Sequence, residues 1–107
     1  MDPETIRQLR DAAGEDGFVQ IRAEFLSGGA RALEEMARAA EGGDADMLRK
    51  RIHALKGSSG SLGASRLEAL CREIEPTVAG AAAPERAAAV ARLAAEFEAV
   101  RRALEAA

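Results

Sequence analysis

Three observations predict an all-α fold, an antiparallel up-down four-helix bundle with an additional short N-terminal helix. Alanine, leucine, glutamate and arginine dominate the chain, and all four are strong helix formers. Aromatics amount to 3%, with no Trp or Tyr, so the side chains that strands prefer are scarce. Apolar residues recur at three- and four-residue spacing between breaks marked by Gly and Pro. A chain of 107 residues is long enough for one modest core, so residues 1–107 read as a single domain.

Asp2-Pro3-Glu4 starts the first helix: an N-cap aspartate, a proline at the first helical position and an acid in the first turn. Ile6 and Leu9 are its apolar contacts, and it ends near Gly14. So short a helix must lie across something larger. The second helix begins near Glu15 or Asp16. Phe18, Ile21, Phe25, Leu33, Met36 and Ala40 form one stripe that stays in phase across Ser27-Gly28-Gly29. This favours a single long helix with a weak middle, where the two glycines cost about 2 kcal/mol relative to alanines. Gly42-Gly43 stops it.

Asp44 caps the third helix, Asp46 adds charge in its first turn, and the helix runs to Leu62 or Gly63. Ser65 and Glu68 have capping-box spacing at the start of the fourth. Leu67, Leu70, Cys71, Ile74 and Val78 form its inner stripe, and Pro76 predicts a kink or an early end. Residues 79–84 read as a loop. The last helix starts near Pro84, with Val90, Leu93, Phe97, Val100 and Leu104 inward. Helices joined this closely pack antiparallel, with the first short helix at one end.

Several function classes drop out. The net charge of -3 comes from interspersed charges, without the basic stripe or aromatic platforms that nucleic acid requires. One cysteine and one histidine make neither an internal disulfide nor a usual zinc site. No apolar run is long enough to span a membrane, and the N-terminus lacks a signal-peptide pattern. The default reading is cytoplasmic. The Asp2 cap directly after Met1 fits a complete chain.

Residues 53–64, HALKGSSGSLGA, hold the sole histidine. Leu48, Ile52, Leu55 and Leu62 define the core side of that helix, and His53 falls about 140° from Leu48. His53 is therefore an outward residue. Lys56, Gly57 and Gly60 share its face, with Arg49 and Lys50 one turn back. Cations around an imidazole make sense where an anion arrives, and a phosphoryl group on the ring would meet Lys56 and Arg49. Each glycine costs the helix about 1 kcal/mol, yet leaves a bald surface where a partner backbone can approach. A neutral imidazole offers a nucleophilic nitrogen at physiological pH. Ser58, Ser59 and Ser61 lack an activating base and read as structural.

The stretch HALKGSSGSLGASRLEALCREIE, residues 53–75, resembles the histidine-containing phosphotransfer (HPt) domain family. That family has a phosphorylatable histidine followed by Leu-Lys-Gly, small residues, Gly-Ala, and a helix with a Cys and a Glu-rich end. The upstream Phe25-Leu26 and Gly42-Gly43-Asp44 fit as well, so the likeness covers nearly the whole chain. It implies a phosphorelay intermediate that takes a phosphoryl group from a receiver-domain aspartyl phosphate and passes it to another receiver. It implies His53 as phosphoacceptor, Lys56 steadying the phosphoryl oxygens, Gly57 keeping the docking surface open and Glu75 orienting the ring. A plain solvated acid paired with Arg72 is the competing reading of Glu75. Partners would be response-regulator receivers and a hybrid sensor histidine kinase. The chain itself would be a monomer with no cofactor, magnesium belonging to the receiver. Leu9, Phe18, Val19 and Leu26 are expected docking contacts.

Pro76 and Ser27-Gly28-Gly29 depart from the family pattern. A histidine-kinase dimerisation domain fits less well, because Ala54-Leu55 follows the histidine where an acid is usual. With no ATP-binding module in the chain, no autokinase activity is expected. The alternative from another class is a helical adaptor that docks receivers or kinases without transfer.

Overall fold

The computed structural model describes all 107 residues as four helices: α1 (Pro3–Gly42), α2 (Ala45–Leu62), α3 (Ser65–Val78) and α4 (Ala83–Ala106). A straight helix of α1's 40 residues would measure about 60 Å. The molecule is 44 Å long. The mismatch is resolved at Gly14, whose φ of 76° and ψ of 171° break the helix into arms at 3–13 and 15–42. Only glycine adopts that conformation without steric cost. The expected short first helix is therefore the first arm of α1, with no separate turn between the two.

That short arm lies across one end of the bundle. The Asp2 side chain accepts from the Glu4 amide at 3.1 Å and from the Thr5 hydroxyl at 2.7 Å. The Asp2 amide donates to the Gly63 carbonyl at 2.8 Å, tying the arm to the α2–α3 joint. Arg10 stacks 4.4 Å from the centre of the Phe18 ring, so it folds back onto the long arm. Ile6 is buried there.

The long arm passes through Ser27-Gly28-Gly29 unbroken. Gly29 is buried, and a Cβ built on it would come within 2.2 Å of the Phe97 ring on α4. The glycine lets an aromatic ring approach the helix backbone, while Gly28 faces open space. Glycine caps in the left-handed region end α1 at Gly43 (φ 75°) and α2 at Gly63 (φ 82°). At both ends the following amide bonds back five residues, Asp44 to Ala39 at 2.9 Å and Ala64 to Ser59 at 2.9 Å, which is the Schellman closure. Asp44 caps α2 by accepting from the Met47 amide at 3.1 Å.

Two local expectations need correction. The tight Gly63 closure leaves only Gly63 and Ala64 between α2 and α3, so Ala64 takes the N-cap place and Ser65 becomes the first helical residue. The Ser65–Glu68 capping box does not form. Pro76 does not end α3, which continues to Val78. Pro76 and Arg72, whose carbonyl the ring crowds, are both exposed, so the lost bond sits on the solvent side.

Each helix packs on its sequence neighbours, and α4 closes against α1, while the backbones of the diagonal pairs α1–α3 and α2–α4 stay more than 8 Å apart. The core is one cluster drawn from all four, including Phe18, Met36, Leu48, Ile52, Leu67, Leu93 and Leu104. Arg86 ties the far end by donating to the Ala81 carbonyl at 2.7 Å.

Candidate functional site

The inward stripe of α2 is Leu48, Ile52, Leu55, Ser59 and Leu62. With that side in the core, His53 points out of the bundle, its side chain 67% exposed. It leans toward α3, because α2 and α3 run antiparallel from Gly63 and residues at similar distances on either side of that joint face each other. Glu75 is the residue so matched.

Glu75 holds two groups at once. One carboxylate oxygen lies 3.1 Å from His53 Nδ1, and the other lies 2.8 Å from Lys56 Nζ. Its side chain is 17% exposed. The hydrogen bond from Lys56, with a further one from His53, holds the carboxyl below its ordinary value of 4.5. An ionised carboxylate can only accept. Nδ1 must then donate, which fixes the proton there in the neutral ring and leaves the Nε2 lone pair free toward solvent. Arg72 pairs with Glu68 at 3.3 Å instead. The competing reading of Glu75 as a partner of Arg72 is thereby replaced.

The other expected site residues separate into two groups. Gly57 belongs with His53: it is exposed, and a Cβ there would meet nothing within 4 Å. Gly60 shares the flank but is not bald. The Glu68 carboxylate covers it, with an oxygen 2.0 Å from where a Cβ would stand. Arg49 is engaged by Asp46 at 3.5 Å. Lys50 shares the same acid at 3.0 Å.

The α1 docking contacts do not gather at His53. Phe18 is fully buried. Leu9 and Leu26 are partly buried against the core. Val19 is the one large apolar side chain left exposed, at 42%. Val19, Leu26 and Ala37 share one helical stripe, and Ala37 lines a groove with Ala83, Pro84, Ala87 and Val90 of α4. That flank is diagonally opposite the α2–α3 side that carries His53. On the other flank of α1, Glu35 pairs with Arg51 of α2 at 2.5 Å.

Sequence reasoning missed the Lys56–Glu75 pair and the Glu68 cover over Gly60. Both follow from the antiparallel α2–α3 register, which could have been counted out from Gly63. The chain contains no group of three or more His, Cys, Asp or Glu side chains arranged to hold a metal. No helix is long and apolar enough to cross a membrane. Cys71 is buried, and its burial, with Glu75 nearby, pushes the thiol up to about 11.

Comparison with known proteins agrees with this architecture. The family model for the Hpt domain matches residues 20–103. The solved structure of histidine-containing phosphotransfer protein B (HptB) from Pseudomonas aeruginosa PAO1 superposes with a TM-score of 0.85 at 25% identity. The match covers 98% of this chain and 90% of that one. No curated protein sequence matches the chain. A family match that runs from α1 to the last turns of α4, over a bundle shared with a solved phosphotransfer protein, places this chain in the Hpt family, as a histidine phosphotransfer domain of two-component phosphorelays whose partners are response-regulator receiver domains.

Proposed function

We propose that His53 is the phosphoacceptor and that Nε2 is the atom phosphorylated. The observation that carries this is the Glu75 contact at 3.1 Å to Nδ1 on an otherwise exposed ring, which leaves the opposite nitrogen free. The donor is an acyl phosphate on a receiver aspartate, already activated, so no acid–base dyad is required of this chain. The magnesium ion belongs to the receiver.

Lys56 meets the phosphoryl oxygens once the group arrives, because its ammonium already sits beside the ring on the shared carboxylate and a dianionic phosphoryl competes for it. Gly57 gives the receiver backbone a close approach. Upstream of the receiver stands a hybrid sensor histidine kinase, and the setting is cytoplasmic. The chain works as a monomer and does not bind nucleic acid.

A receiver domain charged with acetyl phosphate is expected to label the protein with an acid-labile phosphate. His53→Gln is expected to abolish the label with stability kept within about 0.5 kcal/mol, as for an exposed position. Label that survives this substitution assigns the acceptor elsewhere.

A further inference from the structure

Two glycines, Gly14 and Gly17, make the bend in α1 possible. We propose that they hold the short arm in an exchangeable closure. When α1 straightens, the arm leaves its own bundle end and seats on that of a second copy, and two copies swap arms into a dimer. The closed monomer is the form that Gly14 and Gly17 maintain.

Each glycine answers a separate demand of the bend. Gly14 holds φ 76° and ψ 171°, a region essentially confined to glycine. Gly17 leaves room, because a Cβ built on it would stand 2.8 Å from the Ala13 Cβ. In a straight helix, residues four apart have their Cβ atoms about 5–6 Å from each other, so neither glycine would be required there. The flanking sequence suits the straight form. Residues 3–13 and 15–42 are helical up to the hinge, and Ala12 and Ala13 are the best of helix formers. The long arm spans about 42 Å of a body 44 Å long. A straightened short arm therefore projects about 16 Å beyond the bundle end, out of reach of its own seat.

The contacts that hold the arm closed can be made by another chain. Ile6 enters the core, the Asp2 amide donates to the Gly63 carbonyl at 2.8 Å, and Arg10 lies 4.4 Å from the centre of the Phe18 ring. The core, Gly63 and Phe18 all lie past the hinge, on the body of the bundle. A second copy thus offers the same seat to the same arm. Arg10 also pairs with Glu15 across the hinge at 3.3 Å. On one straight helix, residues five apart point about 140° away from each other, so straightening breaks that pair within a chain. An emptied seat uncovers apolar surface at Ile6 and Phe18, both buried in the closed form, and this drives its refilling. Exchange keeps the seat contacts and relieves the two glycines, against the freedom lost in joining two chains.

The test compares wild type, Gly14→Ala and Gly17→Ala by light scattering on a sizing column, from dilute to concentrated protein. Amide exchange of residues 3–13 is followed at both ends of that range. Wild type is expected to stay monomeric. Both alanine variants are expected to double in mass on concentration, and to regain in the dimer the arm protection that they lose as dilute monomers. Ile6→Asp, added to either variant, is expected to return it to a monomer with an unprotected arm, because that arm fits no seat. A dimer whose arm stays unprotected, or one that survives Ile6→Asp, is built on another face and overturns the proposal. A folded variant that remains monomeric at every concentration overturns it as well. Wild type refolded from denaturant at high concentration supplies a check free of substitutions. A dimer fraction with a protected arm is expected there, and a refolded protein that is monomeric throughout counts against the exchange even if neither variant folds.

Discussion

In the proposed transfer, Lys56 exchanges its resting partner for a working one. At rest its ammonium lies 2.8 Å from Glu75, and this bond is the first cause of the lowered Glu75 carboxyl. A carboxyl lowered in the folded state contributes stability that is fully present above its ordinary value of 4.5 and is lost as pH falls through the lower folded value. Thermal midpoints measured between pH 7 and pH 3 should therefore fall more steeply below pH 4.5 in wild type than in Lys56→Met. Equal slopes would show that the pair contributes nothing in solution. Ser59 makes the opposite case. Its hydroxyl is fully buried on the core side of α2 and has no hydrogen-bond partner. Ser59→Ala removes a desolvated group without opening a large cavity, and denaturant melts should show a gain of up to about 1 kcal/mol. Periodicity identified His53 as outward because a 3.6-residue repeat fixes direction around a helix. It could not show which charge on α3 the ring would meet, because that depends on the register between two helices.

At the scale of the element, adjacent glycines in α1 have opposite meanings. Gly28 faces open space, so Gly28→Ala should stabilise the helix by about 1 kcal/mol through propensity alone. Gly29 lies under the Phe97 ring, and Gly29→Ala should cost about 1–3 kcal/mol from overpacking, reduced by the same propensity gain. Chemical denaturation of the two variants reads both signs, and like signs would refute the packing role of Gly29. The stripe in phase across Ser27-Gly28-Gly29 was legible, and so was the long helix. The reason for the glycines was not, because a close approach is a property of two helices. The same limit explains Ser65 and Pro76. Each has a strong local signal, but a two-residue joint displaced the first from the cap and an exposed flank made the second tolerable.

For the whole molecule, Gly14 decides the shape. It turns a helix of about 60 Å into a long arm and a short one that fit a body 44 Å long. Gly14→Ala forces an L-residue to φ 76°, ψ 171° and should cost about 1–3 kcal/mol, although a Cβ there meets no atom within 4 Å. Amide exchange in residues 3–13 should rise most in that variant, because Gly14 sets the angle at which buried Ile6, Arg10 on the Phe18 ring and the Asp2–Gly63 bond at 2.8 Å hold the arm to the bundle. Exchange unchanged along the short arm would mean that its end contacts hold it without the hinge. The bundle itself followed from element count and short joints, which force antiparallel neighbours. At this same scale the α1 residues expected to contact a partner lie apart from the histidine, with Phe18 buried in the core. Val19 and Leu26 were apolar and available, but the closed ring of helices turns their stripe toward α4.

The diagonal arrangement has a practical consequence for anyone watching the protein at work. His53, Lys56, Gly57 and Glu75 all sit on the α2–α3 hairpin, whereas Val19 and the groove at Ala37, Ala83 and Ala87 lie on the far side of the bundle. A fluorophore or surface tether attached at Ala87 would stand clear of a receiver approaching the proposed acceptor, His53. The single native cysteine is buried, so an Ala87→Cys variant offers one accessible thiol for that attachment.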